Sequence, residues 1–386
     1  MSDTDVFIIS AVRTAIAKGS PKGALYLLAP VEITAKVMDA AVRRAGVQPR
    51  RLDDVIWGIV TPIGDQGANM ARLAVLQAGF PVDVPAVSIN RMCGSSQQAV
   101  HFASQAILAG DADLILAGGT EMMSHQPLGA DYPENWHPDL PYDLVHQGIS
   151  AEMMAEKWHL TREEQDDFAH RSHEKAASAM DAGYFEKQIL PLTLPPVDPS
   201  TSSGQAFSTD EGVRRPADRE KMSALKPVFK DDGTVTAGNA SQISDGSAAL
   251  LLASASAVGR YNLMPKARIV ARVVVGTDPV LMLDGPIPAT KKILEQTGLT
   301  LDDIDVIEIN EAFASVVLGW AKELDVDMAK VNPNGGAIAH GHPLGATGAV
   351  LMTKLVHELE RTGGRLGLQV MCIGHGMATA TIIERV

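Results

Sequence analysis

Cysteine is the scarcest informative residue here: Cys93 and Cys372 are the only two in 386 positions. So few thiols exclude a disulfide framework, and neither lies in a cluster with metal-ligand spacing, so no metal site is expected. They are either incidental or chemical. Positive charge is also in deficit, 33 Lys and Arg against 46 Asp and Glu for a formal charge of −13. That balance argues against a nucleic-acid partner, because phosphate contacts need a basic face. No apolar run approaches the roughly 20 residues of a membrane span, so no membrane partner is expected. The acidic start Met1-Ser2-Asp3-Thr4-Asp5 leads directly into strand-like Val6–Ser10, which predicts no signal peptide and a cytoplasmic location. What is present, 46% hydrophobic and 20% charged residues, is the composition of a soluble globular chain long enough for two or three domains.

The first third alternates strand and helix. Val6–Ala11 reads as an apolar strand, Val31–Ala45 as a helix, Leu52–Val60 as a strand, and Asn69–Leu76 as a helix. The run Val84–Ile89 then precedes a small-residue helix through Ala99–Leu108, and Asp113–Gly119 is fully apolar. Unbroken apolar strands separated by helices predict a parallel sheet covered on both faces, hence an α/β fold. From Thr120 the pattern changes to proline-rich loops, with Thr161-Arg162-Glu163-Glu164 as a capping box opening a polar helix to about Ala182. Apolar strands resume at Ala248–Ala253 and Ala267–Val275.

Two later stretches echo the start. Leu301-Asp302-Asp303-Ile304-Asp305-Val306-Ile307 repeats the pattern of Leu52-Asp53-Asp54-Val55-Ile56, and His342-Pro343-Leu344-Gly345 opens a helix as Cys93-Gly94-Ser95-Ser96 does. A duplicated α/β unit follows, with Cys93 and His342 at equivalent strand-to-helix corners that a pseudo-twofold axis could bring together. At such a corner the free first-turn amides and the helix dipole favour a thiolate, which predicts a lowered Cys93 pKa. A lone thiol there is either a small buried residue or a nucleophile.

Four stretches ask for a common explanation: the Cys93 corner, Asn310-Glu311-Ala312-Phe313-Ala314, Asn334–Gly345 with Gly341-His342-Pro343, and Met371-Cys372-Ile373-Gly374-His375-Gly376. In this order, and with Thr236–Ser241 and Gly285–Ala289, the whole chain resembles the thiolase family, the acetyl-CoA acetyltransferases and 3-ketoacyl-CoA thiolases. The resemblance implies two duplicated α/β halves packed as a five-layered αβαβα core. Its division is residues 1–119 for the first half, 120–245 for an inserted loop domain over coenzyme A, 246–268 for the return of the first half, and 269–386 for the second half. It implies Cys93 as the acylated nucleophile, His342 as its base, Cys372 as the acid/base at the α-carbon, and Asn310 holding a water. One oxyanion site would use His342 with that water, the other the amides of Cys93 and Gly374. His146, Arg214, Lys221, Phe229, Ala237, Ser241, Ala312 and Phe313 would line the substrate site, with His146 favouring a small acyl group. Coenzyme A would be a substrate, no cofactor would be tightly bound, and the chain would form a homodimer or homotetramer.

Making or breaking a carbon–carbon bond beside a thioester needs this set: an acyl-holding nucleophile, an acid/base for the α-carbon, and donors for two oxyanions. A thiol suits the proton transfer because its ordinary pKa, about 8.5, can be tuned near operating pH. A decarboxylating ketoacyl synthase-like enzyme is the alternative within enzymes, and a silent lipid-carrying or scaffolding protein the alternative outside them. Cys372 speaks against the first, and the intact set of four against the second. The sequence departs from the family at His375, in place of a third glycine, at His340, in place of an aliphatic residue, and at Lys221, in place of a serine. Arg214, Arg215, Arg219, Lys221, Lys226 and Lys230 form a local basic segment, a seat for a phosphorylated ligand or a solvated surface. His170 and His173 are expected on a solvated helix face, and His101, His125 and His159 in structural roles. The glycines from Gly335 to Gly348 lack dinucleotide-fingerprint spacing.

Overall fold

The computed structural model describes residues 5–134, 138–196 and 204–386, so the expected start of the chain at Met1–Thr4 and the later part of the proline-rich loop, 197–203, lie outside the described residues. Each half is built on the same strand order. In the first, Val87–Ile89, Asp54–Gly58 and Leu114–Met122 run parallel, and Ser244–Ser254 and then Val6–Thr14 join antiparallel. In the second, Val306–Ile309 and Leu366–Ile373 are parallel, with Met377–Arg385 and Ala267–Gly276 antiparallel, and a parallel bridge at Val331 stands where Val87–Ile89 stands in the first half. The two sheets meet edge to edge through Phe7 and Ile8 opposite Arg268 and Ala267.

The echo in sequence is an echo in hydrogen bonds. Asp53 Oδ2 accepts from the amides of Asp113 and Leu114 at 2.7 and 2.9 Å, and Asp305 Oδ2 accepts from Arg365 and Leu366 at 2.7 and 2.9 Å. In both halves, therefore, the turn before the second strand is tied to the strand beside it. The corner helices also end alike, on left-handed Gly110 and Gly363, where a side chain would be strained.

Five layers result. Helices Pro30–Arg44 and Met70–Gln77 cover one outer face, Pro286–Thr297 and Ala314–Leu324 the other, and Ser95–Ala109 lies against Thr347–Thr362 between the sheets. Three hydrophobic clusters fill the interfaces. The outer two centre on Trp57 and on Trp320, whereas the middle one is made of small and branched residues such as Ala99, Ala103, Ala346, Ala349 and Val350. Small residues let the two central helices approach closely: a Cβ on Gly348 would lie 2.3 Å from the Gln97 amide nitrogen. That approach positions the site.

The halves differ in one connection. Between Leu114–Met122 and Ser244–Ser254 the chain makes a long excursion containing helices Gln147–Lys157, Arg162–Asp181 and the short Arg219–Ser223. The corresponding connection between Leu366–Ile373 and Met377–Arg385 is only Gly374-His375-Gly376. The capping box forms as expected, with the Glu164 amide donating to Thr161 Oγ1 at 3.1 Å and the Thr161 amide to Glu164 Oε2 at 2.6 Å.

Candidate active site

Cys93 sits at the strand-to-helix corner that the sequence indicates, on a turn with left-handed Met92. Asn90 Oδ1 accepts from the Met92 amide at 2.7 Å and Ser95 Oγ from the Arg91 amide at 2.9 Å, so the turn is held from both sides. His342 opens the equivalent corner. The two corners are bolted together by Ser96 Oγ, which accepts from the Ala349 amide at 2.9 Å, and by buried Glu121. The Glu121 carboxylate accepts from the amides of Val60, Thr61 and Gly345 at 2.8, 3.1 and 2.9 Å. Residues some 250 apart in sequence thus share one floor.

The imidazole of His342 has a defined tautomer. Thr347 Oγ1 donates to the Pro343 carbonyl at 2.8 Å, so at 2.6 Å it accepts from His342 Nδ1–H. Nε2 therefore keeps its lone pair, 3.3 Å from Asn310 Nδ2. Burial with no charged partner lowers the His342 pKa to about 4, so the ring is neutral at rest. Asn310 is fully buried just beyond strand Val306–Ile309 and hydrogen-bonds to Cys372, and its Oδ1 has no protein partner.

Here the structure corrects the sequence reading. Burial drives the Cys93 thiol up to about 11, although the Gly374 amide, its own amide and the Gln147 side chain all hydrogen-bond to it. Desolvation of the anion outweighs the donors at the helix start. Cys372, at the end of strand Leu366–Ile373, is raised well above the ordinary thiol range by burial first and by nearby Cys93 second, rather than tuned to operating pH. The resting site is two thiols beside a neutral imidazole.

Around this centre the excursion supplies a lid. Phe229 stacks on His146 at 5.0 Å between ring centroids and meets Phe313 edge-on at 6.1 Å. The Ser241 amide donates to the Ala312 carbonyl at 2.9 Å, and Ala240 bridges Phe313, so His146, Phe229, Ser241, Ala312 and Phe313 come together. Ala237 lies in the Thr236–Asn239 turn that continues into this bridge. His146 also caps helix Gln147–Lys157, its Nδ1 accepting from the Gly148 amide at 3.1 Å. The basic segment is mostly paired: Arg215 with Asp181, Arg219 with Asp167, Lys221 with Asp218 at 2.9 Å, and Lys230 with Glu156 at 2.6 Å. Among the described residues Arg214 and Lys226 pair with no carboxylate. Lys221 is 86% exposed, on the surface of the excursion.

His173 is not on a solvated face; it is buried and its Nδ1 accepts from the Arg214 amide at 3.2 Å, because helix Arg162–Asp181 packs against the lid segment rather than facing water. His340 also has a structural explanation. Its Nδ1 lies 2.8 Å from Asp210, which holds Arg13 at 2.8 Å, and its Nε2 lies 2.8 Å from the Asn334 carbonyl. Sequence reasoning does not single out Thr347, Gln147 or Glu121. Thr347, five residues after His342 in the first turn of its helix, was the most discoverable; Glu121 and Gln147 act across long sequence separations.

A buried thiol near an imidazole whose Nε2 carries its lone pair, between amide donors and a second thiol, is equipped for nucleophilic acyl transfer. Two family descriptions match the chain, "Thiolase, N-terminal domain" over residues 6–256 and "Thiolase, C-terminal domain" over 263–385. The chain belongs to the thiolase family, and it is an acyltransferase. It is 48% identical to the steroid 3-ketoacyl-CoA thiolase FadA6 of Mycobacterium tuberculosis, over 99% of this chain and 94% of that one. It is 43% identical to an acetyl-CoA acetyltransferase of Chromobacterium violaceum, over 99% and 100%. The crystal structure of the Bacillus anthracis acetyl-CoA acetyltransferase superposes with a TM-score of 0.91 at 40% identity, covering 99% of each chain.

Proposed function

We propose that this thiolase uses Cys93 as nucleophile, His342 as base, Cys372 as the acid/base at the α-carbon, and coenzyme A as a substrate. The observation that carries the proposal is the convergence of Cys93, His342, Asn310 and Cys372 from both halves on one buried floor. In thiolysis the Cys93 thiol gives its proton to His342 Nε2, and sulfur attacks the 3-keto carbon. The C2–C3 bond breaks, and the acetyl-CoA enolate takes the Cys372 thiol proton. The coenzyme A thiol then passes its proton to Cys372 and attacks acyl-Cys93, while protonated His342 returns a proton to the departing Cys93 sulfur. Atoms balance and both thiols are restored.

The amides of Cys93 and Gly374 already point at the nucleophile's sulfur, which supports them as donors to the acyl oxyanion. Once protonated, His342 Nε2–H becomes one donor to the enolate oxygen, the other being a water held by Asn310. Arg214, which pairs with no carboxylate among the described residues, supports a phosphate contact for coenzyme A, with exposed Lys221 in the same basic segment and Phe229, Ala237, Ser241, Ala312 and Phe313 along the pantetheine. On this reading the reaction needs no tightly bound cofactor. Two free thiols support a reducing, cytoplasmic setting, and release of a two-carbon unit as acetyl-CoA supports a place in β-oxidation-type chain shortening. The sheet ends at the Val87–Ile89 edge, near exposed Leu73, Leu76, Val82 and Val87, which supports a homodimer or homotetramer formed through that edge. No helix among the described residues is long and apolar enough to cross a membrane.

The test is the rate of coenzyme A-dependent cleavage of 3-ketoacyl-CoA substrates of increasing chain length, with Cys93→Ala as blank. Cleavage that vanishes in the blank is expected. Cleavage that persists in Cys93→Ala would remove the nucleophile from the scheme.

A further inference from the structure

The Gly374-His375-Gly376 turn forms one wall of a cavity of about 420 Å³ next to the nucleophile. Leu128, Leu144 and Met282 give it apolar sides, and Tyr132, Gln147 and His375 give it polar atoms. This volume lies in the range of sites for drug-sized ligands, ~300–1,000 Å³, and far exceeds what an acetyl group fills. The wall is continuous with the chemistry. The Gly374 amide hydrogen-bonds to Cys93, and a Cβ on Gly374 would lie 2.8 Å from Gln147 Nε2, so Gln147 and the turn close the cavity's inner end.

His375 occupies this wall at a cost. Its φ is 63°, the left-handed region that favours glycine, and both neighbours in the turn are glycine. A side chain kept where glycine would be easier, and directed into a cavity beside the nucleophile, points to a use for that side chain. The ring sits 5.9 Å from that of Tyr132, so the two polar residues face the same space.

We propose that the cavity receives a bulky acyl group carrying an uncharged oxygen, a hydroxyl or ketone, and that His375 selects such substrates by hydrogen-bonding that oxygen. The inference rests on the thiolase reading and refines its substrate class. Burial lowers the His375 pKa, which keeps the ring neutral near pH 7, with one nitrogen to donate and one to accept. A neutral imidazole in an apolar pocket suits a neutral oxygen better than a carboxylate, whose desolvation it could not repay.

The experiment uses the full chain with 3-oxodecanoyl-CoA and its 6-hydroxy and 8-hydroxy derivatives, and reads the ratio of kcat/KM for hydroxylated over parent substrate. A ratio of about ten or more is expected for at least one derivative, as one well-formed hydrogen bond gives. It should collapse to near one in His375→Gly, which takes the left-handed turn without strain, and be partly kept in His375→Asn, which tolerates that turn and can still hydrogen-bond. A ratio near one for both derivatives in the unaltered protein, or a ratio that survives in His375→Gly, overturns the inference. Cleavage of the parent chain with no preference overturns this inference alone. No cleavage of any compound, acetoacetyl-CoA included, overturns the thiolase reading and this inference with it.

Discussion

The two halves share strand order, tying aspartates and corner helices, yet they contribute different chemistry. The first half brings its nucleophile on the corner, at Cys93, and spends the connection after its fourth strand, Leu114–Met122, on the long lid. The second half puts a base at the corner, His342, and keeps that same connection as the tight Gly374–Gly376 turn, with Cys372 just before it. One duplicated frame therefore provides two corners and two connections, and each of the four contributes something different to the site. The corners stay buried because they must approach each other; the connections are free to vary because they lie at the sheet ends.

The largest effect should come from removing the first half's contribution. Cys93→Ala is expected to lower thiolysis by at least ~10³-fold, the scale on which covalent nucleophiles act, and to abolish the acyl-enzyme mass shift after incubation with acetyl-CoA. Cys372→Ala should separate the halves. Cys93 should still acylate, while exchange of the acetyl-CoA α-protons with deuterated water falls by about 10²–10⁴-fold, the range of general acid–base catalysis. Loss of both activities together would mean that the halves do not divide the work this way. Thr347→Val removes the acceptor of the His342 Nδ1 proton and leaves a buried donor unpaired, a cost of about 1–3 kcal/mol, so kcat should fall by roughly ten- to a hundredfold with KM little moved.

The electrostatics of the Cys93 corner yield a pH test. A thiol raised to about 11 is almost wholly protonated at pH 7, so iodoacetamide alkylation of Cys93 should keep accelerating above pH 9. A plateau below the ordinary thiol value, about 8.5, would show that the helix start prevails over burial after all. The smallest effect belongs to the surface of the excursion: Lys221→Ala removes an exposed, already paired cation, and KM for coenzyme A should change less than about threefold, in keeping with surface ion pairs worth ~0–1 kcal/mol.

Much of this is legible in the sequence. Alternating apolar strands and helices announced the α/β class. The echo of Leu52–Ile56 in Leu301–Ile307 announced the duplication, and the ordered motifs around Cys93, Asn310, His342 and Cys372 announced the family. The expected electrostatics at Cys93 failed for a physical reason, since a helix start acts locally and can be read from sequence, whereas burial is decided by everything packed above the corner. His173 failed likewise, because helix periodicity does not say which face a distant lid segment will cover.

The sequence by itself determined the elements, their repetition and the residue types the chemistry needs, because these follow from local periodicity and from side-chain reactivity. Only the tertiary structure decided that the corners abut through Ser96, Glu121 and Gly348. It also fixed the His342 tautomer through Thr347, and it turned His375 toward a cavity rather than toward solvent. Those outcomes depend on contacts between segments far apart in the chain, where a few ångströms of packing and the exclusion of water set which groups meet and which stay charged.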